Sequence, residues 1–147
     1  MVVWDKTNSR PQRGRFRQQT EFIVWGSNGS LLAERGVDVL PGLFQHPNVP
    51  EQERWHQTQK PLALMRQLVR LCVPGGRILD PFCGSGTTLE AAALEGYRAI
   101  GIEYSKHYAG VARERLAGVQ VRMDVSKPEG EQLVLMEGKD DPERSGI

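Results

Sequence analysis

Two short runs of β-branched and aromatic residues near the start of the chain, Val2-Val3-Trp4 and Glu21-Phe22-Ile23-Val24-Trp25, predict strands joined by a long polar, arginine-rich loop. Gly26-Ser27-Asn28-Gly29-Ser30 breaks the second run, and the Gly, Pro and Asn residues between 36 and 50 predict an irregular connection. From Pro61 to Val73 the apolar residues Leu62, Met65, Leu68, Val69 and Cys72 recur at helical spacing. Pro61 suits the first turn, and Pro74-Gly75-Gly76 ends the run. Arg77-Ile78-Leu79-Asp80 then reads as a strand, and after a glycine-bearing turn Thr87 to Glu95 reads as a helix closed by Gly96. Arg98 to Glu103 gives a second strand of this kind, Lys106 to Leu116 a second helix, Val119-Gln120-Val121-Arg122 a third strand, and Gln132 to Met136 a last edge strand. Strands alternating with helices predict an α/β fold with a mostly parallel sheet.

Length and composition narrow the class. The 147 residues fit one domain, and 39% hydrophobic with 25% charged residues is globular composition. No apolar run approaches the roughly 18 residues of a membrane span, and no basic segment with a long apolar core marks a secretory signal, so a cytoplasmic protein is expected. Cys72 and Cys83 flank a predicted strand without metal-type spacing, which predicts reduced packing thiols and no metal site. The net charge of +1 hides an asymmetry. Lys6, Arg10, Arg13, Arg15 and Arg17 face only Asp5 in the first twenty residues, whereas acids outnumber bases beyond residue 123. The basic end is either a nucleic-acid-facing arm or a solvated loop, and residues 123–147 read as an acidic, flexible tail.

The densest chemistry lies in Asp80-Pro81-Phe82-Cys83-Gly84-Ser85-Gly86-Thr87-Thr88. A strand ends on a carboxylate, and glycines let the backbone approach a ligand before a helix starts. The spacing is neither the full Gly-x-Gly-x-x-Gly of dinucleotide binders nor a lysine-bearing phosphate loop, which argues against a nicotinamide dehydrogenase. S-adenosylmethionine fits better: it carries no phosphate, its ammonium suits Asp80, and its carboxylate suits the loop amides with Thr87 or Thr88. Glu103, at the end of the next strand, can accept both ribose hydroxyls, and Tyr104 can flank the adenine. A purely structural reading makes Asp80 a turn residue, Glu103 a solvated strand end and Tyr104 a core aromatic. The agreement of motif, strand, helix and downstream acid in order and spacing favours binding.

These residues, with His56-Gln57-Thr58-Gln59-Lys60-Pro61 before them, resemble the carboxyl-terminal portion of the DNA methyltransferases that modify the exocyclic amine of adenine or cytosine, in the permuted order where the cofactor motif comes late. Val3-Trp4-Asp5-Lys6, Arg15 and Glu21 to Trp25 look like that family's upstream strand pair, so the resemblance covers roughly residues 2–25 and 55–117. It implies a partial Rossmann-like S-adenosylmethionine-dependent methyltransferase fold. It also implies that Thr58 and Lys60 approach the methionine end of the cofactor, beside a loop of Asp80, Phe82, Cys83, Gly84, Ser85, Gly86, Thr87 and Thr88. In that context Arg10, Arg13, Arg15 and Arg17 become candidates for phosphate contacts on double-stranded DNA. Trp55 and His56 read as a packing aromatic and a neutral surface histidine.

The resemblance also exposes a gap. The family carries a tetrad of Asp, Asn or Ser followed by Pro-Pro and an aromatic residue, which stacks and orients the flipped base. No two prolines are adjacent in this chain. The expected organisation is therefore a methyltransferase domain portion over 1–122, with a strand pair at 1–26, a variable loop at 27–55 and a cofactor-binding unit at 56–122, followed by the tail. The expected function is that of a truncated or split DNA methyltransferase whose tetrad comes from a second chain, or which pairs as a homodimer. The alternative is a non-catalytic cofactor-binding or DNA-binding remnant.

Overall fold

The computed structural model describes residues 1–31, 34–119 and the strand at 133–137. Its first sheet joins β1 (Val2–Asp5), β2 (Thr20–Ile23) and β3 (Leu43–Gln45) in the order β2-β1-β3, with β2 antiparallel and β3 parallel to β1. Alternation puts Trp4 on one face, where it is buried with Phe44 and Leu64 and flanked by Val2, Ile23 and Leu68. Leu64 belongs to α1 (Leu62–Val69), which follows a short 3₁₀ turn at Glu51–Glu53 and covers that face.

The second sheet is wholly parallel, in the order β4 (Arg77–Asp80), β5 (Arg98–Glu103), β6 (Leu133–Glu137). α2 (Thr87–Leu94) and α3 (Lys106–Ala117) are the intervening helices. α2 is apolar almost all round, as a helix enclosed between a sheet and other helices should be: Leu89, Ala91, Ala92 and Ala93 are buried. Its alanines let α1 lie close against it, while Leu89 and Ala92 meet Cys83 and Ala99, with Ile78, Tyr97 and Leu116 closing the cluster. All three helices thus lie on one side. On the other, Phe22 and Leu43 flank Val3 in register, and Leu79 sits opposite Ile100; Phe22, Leu43 and Leu79 are all more than half exposed. Among the described residues no helix covers this apolar side.

Most of the expected elements are present, and three differ. β3 lies inside the stretch expected to be irregular. Three residues are too few to show a period, and the strand exists because β1 offers a free edge and Phe44 finds Trp4. α1 stops at Val69 rather than Val73, since Leu71 and Cys72 donate to the carbonyls of Leu68 and Val69 and tighten the last turn. The strand expected at Val119–Arg122 falls mostly outside the described residues, with Val119 in no element. β5 pairs with β4 on one edge and with β6 on the other, and β6 is the edge strand expected at Gln132 to Met136. Among the described residues no helix is long and apolar enough to cross a membrane.

One contact fixes how closely α2 approaches the sheet. A methyl group on Gly101 would lie 2.5 Å from Leu89 Cδ1 and 2.9 Å from Cys83 Sγ, so only glycine lets helix and loop settle on β5. Gly101→Ala is expected to destabilise the protein by about 1–3 kcal/mol, read from the urea midpoint. An unchanged midpoint would show that the cluster yields without cost.

Candidate functional site

The carboxyl ends of β4 and β5 carry the two loops that build the site. After β4, Asp80 Oδ1 accepts from the Phe82 amide at 3.1 Å, which starts the turn. The Cys83 amide then donates to the Ile102 carbonyl at 3.0 Å and fastens the loop to β5. Gly86 caps α2 with φ of 80°, and a side chain there would strike Ala112 of α3 at 2.9 Å, so this glycine is required both for the left-handed turn and for the approach of the two helices.

Glu103 ties this loop to the one after β5. Its Oε2 accepts from the Gly84 amide at 2.9 Å and its Oε1 from the Ser105 amide at 2.8 Å. Ser105 in turn caps α3, accepting from the Tyr108 amide. A carboxylate has about four lone-pair sites, so both oxygens retain capacity for a second donor each.

A cavity of about 230 Å³ opens beside the loop. Thr58 and Lys60 line one wall; Asp80, Phe82, Cys83, Gly84, Ser85, Thr87 and Thr88 line the other. These nine expected residues therefore converge across a gap in sequence of more than a helix. Gly86, Glu103 and Tyr104 do not line the cavity: Gly86 is packed beneath it, Glu103 lies behind Gly84, and Tyr104 is 60% exposed. A larger cavity, of about 400 Å³ between Val2, Ile23, Phe44 and Leu68, is apolar and contains none of the expected site residues. The smaller one has the chemistry: Lys60, whose ammonium is held by Glu21 beside the cavity, lines one wall and Asp80 the other, residue types that complement an amino-acid zwitterion.

The first wall is a compact turn. The Trp55 amide donates to Gln59 Oε1 at 2.9 Å and the Gln59 amide to the His56 carbonyl at 3.1 Å. His56 Nδ1 accepts from the Thr58 amide at 3.1 Å while the ring stands edge-on to Tyr108, centroids 4.4 Å apart. Gln59 and Met65 join the cavity lining without having been named as site residues, and so does His56, which reads in sequence as a surface histidine; Met65, one turn into α1 after Lys60-Pro61, is the one that helical spacing could have indicated.

Electrostatics at the wall rest on Glu21. Lys60 Nζ lies 2.6 Å from its Oε2 and Lys6 Nζ 3.2 Å from its Oε1, and both ammonium groups sit over the Trp4 ring, at 5.5 and 5.7 Å. Partial burial raises the Glu21 carboxyl pKa, but the two lysines outweigh it and hold the group below its ordinary value. Cys83 is the opposite case: burial, then the nearby charges of Asp80 and Glu103, push its thiol up to about 11, which makes it a packing residue rather than a nucleophile. Both cysteines are free, and no group of metal-binding side chains occurs among the described residues.

Arg10, Arg13, Arg15 and Arg17 are exposed on the loop between β1 and β2. That loop leaves β1 at Lys6, whose partner Glu21 also holds the cavity residue Lys60, so the arginines spring from the end of the sheet that carries the site.

A family model for DNA methylases matches residues 1–114. The chain is 33% identical over 132 residues to the type II methyltransferase M2.DpnII of Streptococcus pneumoniae, across 78% of this chain and 49% of that protein. It is 30% identical over 131 residues to the type II methyltransferase M.SmaI of Serratia marcescens, across 78% and 44%. Among solved structures it is similar to M1.HpyAVI in complex with SAM, with a TM-score of 0.59 and 30% identity, covering 78% of this chain and 60% of that one. The chain spans about half the length of these curated relatives.

The depressed Glu21 carboxyl carries a pH prediction. A group whose folded pKa lies below its ordinary value of 4.5 adds stability above that value and loses it as pH falls through the folded pKa. Glu21→Gln is therefore expected to lower the urea midpoint at neutral pH and to shrink its fall between about pH 5 and pH 3. An identical acid limb in both proteins would show that the clamp contributes nothing to acid sensitivity.

Proposed function

The chain belongs to the DNA methylase family of the N6/N4 type, and from that membership we propose that it forms the S-adenosylmethionine-binding part of a DNA methyltransferase acting on the exocyclic amine of adenine or cytosine. The observation that carries this reading is the cavity with Lys60 and Asp80 on opposite walls under the glycine turn. Asp80 receives the ammonium of the methionine moiety. Lys60, the amides of the loop and the Thr87 and Thr88 hydroxyls receive its carboxylate. Glu103 accepts from the ribose with the capacity its two amide bonds leave, and exposed Tyr104 and Phe82 offer faces beside the nucleoside. The bound cofactor supplies the methyl group. The protein's part is to hold the donor in line with the base nitrogen, which is positioning more than chemistry.

Double-stranded DNA is the partner, met in the cytoplasm and gripped at its phosphates by Arg10, Arg13, Arg15 and Arg17. The base-binding tetrad is absent from these 147 residues, and the chain spans about half its relatives, so methyl transfer depends on polypeptide beyond them. The uncovered side that bears Phe22, Leu43 and Leu79 supports a companion there, as a second chain or a homodimer.

Calorimetric titration with S-adenosylmethionine tests the reading. Saturable binding is expected, weakened about 10- to 100-fold in Glu103→Ala, the loss of hydrogen bonds to a charged group. No binding by a folded, monodisperse sample would favour a non-catalytic DNA-binding remnant instead. For the arm, Arg13→Ala and Arg15→Ala should each weaken duplex binding and lower its salt slope by about 1. Unchanged slopes would remove these arginines from the DNA surface.

A further inference from the structure

Arg115 stands in the last turn of α3, remote in sequence from the cofactor loop, yet its side chain is only 7% exposed. A buried guanidinium needs its charge balanced and its donors used. Glu90 of α2 supplies the charge, with Oε2 3.3 Å from Nη1. Burial raises the Glu90 carboxyl and lowers the Arg115 guanidinium, and each partner's charge opposes that shift in the other. Two further contacts go beyond neutralisation. The same Nη1 donates to Thr87 Oγ1 at 2.6 Å, and the guanidinium lies over the Trp55 ring, 5.4 Å from its centroid.

Thr87 and Trp55 belong to opposite sides of the site. Thr87 lines the cavity from the start of α2, and Trp55 directly precedes His56 in the turn that carries Thr58 and Lys60. One side chain therefore grips both walls. It also orients the hydroxyl: arginine can only donate, so Thr87 Oγ1 accepts, and its own proton is left to be given elsewhere. A cation on the oxygen makes that proton a stronger donor.

We propose that Arg115 is a positioning residue of the cofactor site, which tethers the 55–60 turn to α2 and presents the Thr87 hydroxyl proton to the carboxylate of a bound amino-acid moiety. This rests on the S-adenosylmethionine reading and deepens it, assigning the methionine end of the ligand to the space Arg115 shapes and leaving the nucleoside end to Glu103.

The test compares S-adenosylmethionine with 5′-methylthioadenosine, which keeps the nucleoside and thioether but lacks the amino-acid part. Arg115→Lys retains a charge beside Glu90 while losing the planar fork. It is expected to weaken S-adenosylmethionine about tenfold and to leave methylthioadenosine within about twofold, by calorimetry on samples of matched circular dichroism. Trp55→Leu, at a half-exposed position, should show the same selective loss in smaller measure and decides the matter if the arginine variant does not fold. Equal losses for both ligands, or no loss for either, would overturn the positioning role alone. A wild-type chain that binds neither ligand would overturn the cofactor reading and this inference with it.

Discussion

Both loops of the site hang on the Glu103 carboxylate. With one oxygen on the Gly84 amide and the other on the Ser105 amide, it joins the turn after β4 to the turn after β5, and through Ser105 it sets where α3 begins. Parallel strands put both turns at one end of the sheet, but parallel pairing alone leaves them free to diverge. The carboxylate makes them one surface, and does so with an acceptor still able to take more donors. Remove that bridge and the Gly84 amide loses its acceptor on β5, the Ser105 amide loses its anchor, and among the described residues the bond from the Cys83 amide to the Ile102 carbonyl is what still fastens the loop to the strand. The placement of Asp80 opposite Lys60 is thus downstream of an interaction that is not itself in the cavity.

Helix packing serves the same end. Gly101 and Gly86 are bare where neighbours come closest, the first under Leu89 and Cys83, the second against Ala112. Those approaches bring α2 down on β5 and α3 onto α2, so that the first turn of α2, with Thr87, reaches the ligand space while the alanines behind it fill the core. The result is a single layer of helices on one side and exposed Phe22, Leu43 and Leu79 on the other. An α/β sheet usually has both faces covered, and the apolar rows in register across β2-β1-β3 and β4-β5 are what an uncovered second face looks like.

Legibility followed the range of the interactions. The β4–loop–α2–β5 unit could be read directly because its residues are consecutive and its glycines, carboxylates and helix start fall in a fixed order. Thr58 and Lys60 were reached only through the family resemblance, since nothing local ties a turn before α1 to a loop after β4. β3 was hidden because its three residues are a strand only by virtue of β1's free edge. Glu21, Lys6 and Arg115 were invisible as site residues for a related reason: a charged residue on a strand or a late helical turn reads as solvated surface until its partners are known. What marks them is convergence, Glu21 between two lysines and Arg115 between Glu90, Thr87 and Trp55.

That convergence also answers an apparent conflict at Lys60. The ammonium expected to meet a ligand carboxylate is already paired with Glu21 at 2.6 Å, and a lysine so engaged would ordinarily be a poor ligand group, because leaving would strand its partner. Lys6 changes the balance. It holds the other oxygen of Glu21 and rests over the same Trp4 ring, so Glu21 stays compensated if Lys60 turns toward the cavity. Two lysines on one carboxylate leave an excess of one positive charge at the wall, opposite Asp80. The surplus, rather than either lysine alone, is what an incoming carboxylate would meet, and its strength depends on both lysines being kept close by an acid that is never neutral near physiological pH, since they hold its pKa below the ordinary carboxyl value.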